Sequence, residues 1–310
     1  MKRFILTVAL GVCVASCSSS GEVTEGEVRT DGWNPFVAIV GSDSQIAMVA
    51  TNSPLGKDRL VLVGDQVTSV ESVDGYVLSA GWVPTTGFLV VTYSPELTSE
   101  SADRVALVNP ESGTANGITI DEAVASTWSR ITVSQDGRFA YYSAQTPSAL
   151  QLAHDIWRID LETGSMENVT RSELGESLPI LLSDDQLALI EYTPLSIEQS
   201  ENGRIMVLDL ESGERQRLTP EGQTVTFLDT TDTGDWIVYS AHPENRREER
   251  AIWFVPSDGS LPPQLLLEDG GFDAQLSGDD RHILVRRVGG PNDPTLLEWI
   301  EVPDTAPWID

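Results

Sequence analysis

DIWRIDLETGSMENVT at residues 155–170 and RIMVLDLESGERQRLT at 204–219 are two versions of one pattern, offset by 49 residues. In each, an aliphatic run ends at Asp160 or Asp209, a turn closes on Gly164 or Gly213, and a short polar run ends in Thr170 or Thr219. A turn glycine supplies positive φ without steric cost, so each copy predicts a strand that doubles back on itself. Self-similarity at a step of about 50 residues is the mark of an array of supersecondary units.

Outward from this pair the same kind of segment recurs: DRLVLVGDQ (58–66), DRVALVNPESG (103–113), RAIWFVPSDG (250–259) and TLLEWIEVPD (295–304). Five of the six carry a turn glycine, Gly64, Gly113, Gly164, Gly213 and Gly259, at steps of 49, 51, 49 and 46 residues. A second series precedes the first: SDSQIAMVA (42–50), TTGFLVVTY (85–93), QDGRFAYYS (135–143), DDQLALIEY (184–192), TGDWIVYSA (233–241) and DDRHILVRR (279–287). Each opens on turn chemistry and runs into β-prone apolar residues. Apolar stretches such as FVAIV (36–40), SRITV (129–133), LPILL (178–182) and TVTFL (224–228) come earlier still, and segments such as ENVT (167–170) and RQRLT (215–219) follow the glycines. The unit is therefore four strands, A to D, in about 48 residues, and no helical periodicity persists.

A lone four-stranded sheet leaves its faces open, whereas radial stacking buries them against neighbours. Six such units predict an all-β, six-bladed β-propeller of four-stranded antiparallel blades; a solenoid and a pair of sandwiches are the alternatives. The last unit has A, B and C strands but only DTAPWID after them. Its outer strand is expected from GEVTEGEVR (21–29), with a fold-back of the terminal residues as the other route.

ITVSQDGRFAYYSA (131–144) followed by DIWRIDLETG resembles the repeat of TolB-type propellers, in which a Ser-x-Asp-Gly turn enters one strand and an Asp-aromatic-aliphatic run forms the next. The resemblance spans most of residues 33–303 and is sharpest in units three and four. It implies the fold and not the Tol-Pal role, because TolB itself has a further N-terminal domain for which this chain leaves no room.

The chain opens MKRFILTVALGVCVASCSSS, with a basic start at Lys2 and Arg3, an apolar run and small residues, the pattern of a secretory signal. Val14-Ala15-Ser16-Cys17 resembles the lipobox of bacterial lipoproteins, which implies a signal peptide over 1–16 and a lipid on Cys17. The other cysteine, Cys13, lies inside the segment to be removed, so Cys17 would have no disulfide partner. Residues 17–32 are small, polar and acidic, as expected of a lipidated flexible tether that can also close the ring, and 33–310 are expected to form a single propeller domain. The expected location is extracytoplasmic, anchored to a bacterial membrane.

Acidic residues outnumber basic ones 48 to 19, for a net charge of −29. Such a surface repels nucleic acid and anionic headgroups, and a monomer is expected. The three histidines, His154, His242 and His282, fall in different units and outside any metal-ligand spacing. Neither a GxSxG elbow nor a GxxxxGK[ST] loop occurs. No cofactor is therefore expected, calcium being the one ion considered. The turns before strand B place Asp136, Asp184, Asp235 and Asp279 on one face, where a carboxylate ring would suit that ion or a basic partner. One carboxylate per unit is also ordinary turn chemistry in a repeat.

The B-to-C connections of units two to five, SPELTSESAD (94–103), AQTPSALQLAHD (144–155), TPLSIEQSENG (193–203) and AHPENRREER (241–250), are longer than hairpins need and share the opposite face. In the last of them His242, Arg246, Arg247 and Arg250 form a basic cluster in an acidic chain, a candidate partner contact. The function expected is a non-enzymatic scaffold for envelope proteins. A metal-dependent hydrolase or small-ligand binder working through the acidic turns and central channel is the alternative.

Overall fold

The computed structural model describes residues 25–28, 30–31, 33–41, 45–51, 57–64, 66–96, 104–120, 125–126, 129–145, 153–194, 200–268, 271–287 and 295–309, and these form six sheets. Blade 1 holds Asn34–Val40, Ile46–Thr51, Arg59–Val63 and Val67–Ser69 as strands A to D. Blade 2 holds Tyr76–Trp82, Leu89–Ser94, Arg104–Asn109 and Thr114–Ile118. Blade 4 is Gly175–Ser183, Gln186–Pro194, Ser200–Asp209 and Arg215–Arg217. Blade 5 is Gln223–Thr230, Trp236–Pro243, Ala251–Pro256 and Gln264–Leu267.

Blade 3 departs from the simple pattern. Its strands B to D are Phe139–Gln145, His154–Asp160 and Met166–Asn168, but strand A, expected as a continuous run over 129–133, is broken. Ala125–Ser126 and Thr132–Val133 pair with strand B, while Ser129–Arg130 turns away and pairs in parallel with Ser79 and Ala80 of blade 2. The backbones meet because Gly81 has no side chain: a Cβ there would lie 2.1 Å from the Ile131 carbonyl oxygen.

In blade 6, Asp273–Leu276, His282–Arg287 and Leu296–Glu301 are completed by Gly26–Val28, which pairs Val28 with Leu297 and Gly26 with Trp299. The N-terminal stretch therefore supplies the outer strand of the last blade, and both ends of the propeller chain share one sheet. The C-terminal residues take another course: Trp308 packs edge-on to Phe254 and against Trp236, and its Nε1–H donates to the Asp280 carbonyl at 3.1 Å.

The middle strands have neighbours on both faces, which is why they read as near-continuous apolar runs instead of alternating ones. Ile46 to Ala50, Leu89 to Val91 and Ile237 to Tyr239 are all buried, whereas strand D of blade 3 (MEN) and blade 4 (RQR) is polar and largely open. The core lies between blades: Val49, Leu60, Val77 and Leu89 join the first two, and Ile180, Ile205, Val225 and Ile237 join the fourth and fifth. Full burial of each such side chain contributes about 1.5–3 kcal/mol.

The opening repeat now has a physical cause. Asp160 Oδ1 accepts from Glu162 N and Thr163 N at 3.0 Å, and Asp209 Oδ1 accepts from Glu211 N and Ser212 N at 3.1 and 2.7 Å. These contacts hold both carboxyls below the usual range, the backbone N–H of Thr163 and of Ser212 being the largest cause in each. Gly164 and Gly213 adopt φ of 76° and 75°, and Thr170 and Thr219 each accept from a strand C amide, Ile156 N and Ile205 N, at 3.0 Å. Gly113 and Gly259 share the left-handed turn, but Gly64 does not, its N–H donating instead to the Gln66 carbonyl at 3.3 Å.

Candidate functional site

The A-to-B turns are closed by their own side chains. Ser134 Oγ donates to Asp136 Oδ1 at 2.6 Å, Arg138 N donates to the same oxygen at 2.9 Å, and Phe139 N donates back to Ser134 Oγ at 2.9 Å. The blade 6 turn repeats this with Ser277, Asp279, Arg281 and His282 at 2.5, 3.1 and 2.9 Å. In blade 5 threonines replace the pair, and Trp236 N donates to Thr231 Oγ1 at 3.2 Å. The Ser134 hydroxyl is the main cause holding Asp136 below the usual carboxylate range. At Asp279 partial burial pushes the pKa up, but the Ser277 hydroxyl and Arg281 N–H outweigh it. Asp136 and Asp279 are thus committed to their turns.

Inner strands of all six blades line a central cavity of about 600 Å³, open on this turn face. Of the four aspartates expected there, only Asp184 is on its wall; at the other turns Gln135, Gly234, Gly278 and Asp280 occupy it. Among the described residues no three His, Cys, Asp or Glu side chains gather as a metal-binding group.

The residues that do organise the channel are Arg130, Asp229 and Asp280, none of which the turn pattern singles out. Arg130 Nη2 of blade 3 reaches Asp229 Oδ1 of blade 5 at 2.7 Å, past blade 4, with both side chains largely buried. Asp229 also accepts from Leu276 N of blade 6 at 2.8 Å and from Thr230 N at 2.9 Å, so one carboxylate ties three blades. Around the rest of the ring, Trp82 Nε1 donates to the Ile39 carbonyl at 3.3 Å, and Gln275 accepts from Val40 N at 3.1 Å while donating to the Ala38 carbonyl. Apart from the backbone pairing of blades 2 and 3, side chains here make the links between inner strands that diverge. Asp280, left-handed at φ 57° and accepting from Asp232 N at 3.0 Å, is pushed up to about 6, first by burial and then by the charge of Asp229. The signal available in the sequence was a charge inside an apolar inner strand, as in TVTFLDT and SRITV.

On the opposite face, the B-to-C residues 97–103, 146–152 and 195–199 lie outside the described residues, as does Cys17. The described connection, 241–250, does not present one basic patch. His242 is buried, with Nδ1 at 2.8 Å from the Pro243 carbonyl, which accepts and so fixes the proton on Nδ1. Arg246 pairs with Glu249 at 2.7 Å, Arg247 is exposed, and Arg250 lies over the Phe272 ring with its central carbon 3.6 Å from the centroid. Blade 4 carries a further network at this end. Arg215 Nη1 donates to Glu176 Oε1 at 2.6 Å and Glu191 Oε2 at 3.2 Å, Arg204 Nε donates to Glu191 Oε1 at 2.7 Å, and burial pushes Glu176 up. Next to it His154 Nδ1 and the Tyr192 hydroxyl are 2.7 Å apart; burial lowers the histidine and drives the tyrosine up to about 12.

TolB from Acinetobacter baumannii superposes on 90% of the chain with a TM-score of 0.59 at 14% identity, the chain spanning 63% of that protein. The fold is a TolB-like six-bladed β-propeller. A protein assigned as TolB in Agrobacterium tumefaciens gives 0.60 at 13% identity, over 91% of this chain and 93% of its own. An oligogalacturonate lyase in complex with manganese gives 0.56 at 11% identity over 91% and 96%. A scan against protein-family models gives no match, and neither does a search of curated proteins. At such identities the likeness extends to the fold, which the neighbours put to different uses.

Proposed function

We propose that the chain is a lipid-anchored, extracytoplasmic propeller that works as a non-enzymatic interaction scaffold at a bacterial envelope, with the B-to-C face as its contact surface. The observation that supports this is the engagement of carboxylates in holding the ring and its turns: the Asp229 carboxylate ties three blades, and Asp136 and Asp279 are spent on their turns. A rigid ring with connections emerging on one face suits recognition. The lipobox at Val14–Cys17 supports the anchor, and the likeness to two TolB structures supports the propeller fold that would carry such a face.

Two measurements test it. Mass spectrometry of the N-terminal peptide should show added acyl mass that Cys17→Ala lacks; equal masses overturn the anchor. Capture from detergent-solubilised envelope should return partners that are lost when residues 244–249 are replaced by a Gly-Ser linker, and an unchanged partner set overturns the assignment of the face.

A second reading, a metal-dependent hydrolase or small-ligand binder working in the channel, is favoured by the cavity of about 600 Å³ with Asp184, Asp232 and Asp280 on its wall. A neighbour of the same fold is described as a lyase in complex with manganese. Thermal unfolding of purified protein in calcium or manganese and in chelator separates the two: a metal-dependent rise supports the channel, and coincident curves remove a metal from it.

A further inference from the structure

The Arg250 guanidinium is held by stacking on an aromatic ring. It lies over Phe272, 3.6 Å from the ring centroid, and its Nε–H is shielded from solvent with no partner among the described residues. Asp273, the carboxylate whose charge it feels, is taken by Arg286, whose Nε and Nη2 donate to its two oxygens at 2.5 and 3.1 Å. Arg247 adds a second positive charge and forms no ion pair among the described residues, since Glu249 is engaged by Arg246. Burial first, and then the charge of Arg247, lower the Arg250 pKa, the direction expected of a cation lacking its counter-charge. Other partly buried arginines are ion-paired: Arg204 and Arg215 with glutamates, Arg286 with Asp273. An unsatisfied, desolvated N–H donor is costly to keep.

We propose that Arg250 and Arg247, beside Phe272 where blades 5 and 6 adjoin, form an oxyanion-binding site. Arg250 is held in place by Phe272 to offer its terminal Nη groups to a carboxylate or phosphate group of the ligand, and exposed Arg247 adds its charge from the loop. Planar bidentate recognition is the task for which a stacked guanidinium is suited and a lysine is not. Over most of the surface the charge repels anions, so the site selects a ligand that presents one at close range, where the local positive pair outweighs charges more than a Debye length away. The proposal rests on taking the B-to-C face as the contact surface, and it adds the chemistry of what is contacted.

The test is a titration of full-length protein with inorganic phosphate and, separately, glutarate, followed by the arginine Nε–Hε resonances in solution NMR. The Arg250 signal, assigned by its absence in Arg250→Lys, should shift saturably. Glutarate alone moving it names a carboxylate source, and phosphate alone names a phosphate source. Arg250→Lys keeps the charge and should weaken binding roughly tenfold. Arg247→Gln, on an exposed side chain that cannot disturb packing, should weaken it several-fold. An Arg250 resonance that neither probe moves, or equal affinity in wild type and both variants, overturns the proposal. No envelope partner is needed, so a failed capture beside a successful titration would overturn the scaffold reading alone.

Discussion

Gly164 and Gly213 are the same residue of the repeat, yet their replacement by alanine should have unequal effects. Both donate N–H to the carbonyl of the Asp four residues before, at 2.8 and 2.9 Å, and both have φ near 75°. An L-residue in that conformation costs about 1–2 kcal/mol. The loss of unfolded-chain freedom returns about 0.4–1 kcal/mol. Gly213→Ala adds nothing further, since no atom lies within 4 Å of its new Cβ, so a net loss of about 1 kcal/mol is expected. At Gly164 the new Cβ would sit 1.9 Å from the Thr119 carbonyl oxygen, on the link between blades 2 and 3. Backbone cannot swing aside as a side-chain tip does, and forced overpacking adds about 1–3 kcal/mol. With a urea slope of about 3 kcal/mol/M, Gly213→Ala should lower the unfolding midpoint by about 0.3 M and Gly164→Ala by about 1 M. The assay is equilibrium urea unfolding followed by tryptophan fluorescence. Midpoints that fall together would refute the inference that contact between blades, and not the turn alone, sets the cost.

Three further outcomes are expected. Asp229→Ala should cost about 3–5 kcal/mol, because it removes the ion-pair partner of a largely buried Arg130 and strands the Leu276 N–H, and the pair Arg130→Met with Asp229→Leu should recover most of that. A loss under about 1 kcal/mol in the same urea assay would remove the pair from the structural account. Asp280 titrates near 6 in the fold against an ordinary 3.8, so the fold holds its proton more tightly. The penalty is absent below pH 4, grows as pH rises to 6 and is complete above. Asp280→Asn keeps an acceptor for Asp232 N and tolerates the left-handed backbone. It should therefore stabilise by about 1 kcal/mol at pH 8, after discounting for partial exposure, and by nothing at pH 3.5; a pH-independent difference would contradict this. Gly81→Ala should disturb the contact between blades 2 and 3, seen as faster amide exchange at Ile131, whose N–H donates to the Ala80 carbonyl at 2.8 Å; unchanged exchange would argue against a need for close approach there.

How much of this was legible in the chain differs between fold and site. The four-strand unit and its sixfold recurrence are local facts, and repetition makes a weak local signal readable, whereas the closing strand joins distant residues and the sequence left two routes for it. The aspartates of the turns were legible as residues, but not their employment: Asp136 and Asp279 are consumed by the serines two positions before them, a reason Ser-x-Asp recurs at all. The basic cluster was legible as composition, while its division into a paired Arg246, an exposed Arg247 and a stacked Arg250 depends on Glu249 and on Phe272 from the next blade.

By itself, then, the sequence determined the unit: which residues turn, which run straight and which face two neighbours, because these follow from backbone sterics and from apolar patterning within about 50 residues. Only the tertiary structure decided what meets at the centre and between blades. Arg130 and Asp229 are 99 positions apart and Gln275 lies 237 from Ala38, and no local rule pairs them. Closing the ring brings those groups within hydrogen-bond reach, and burial then makes each pairing obligatory.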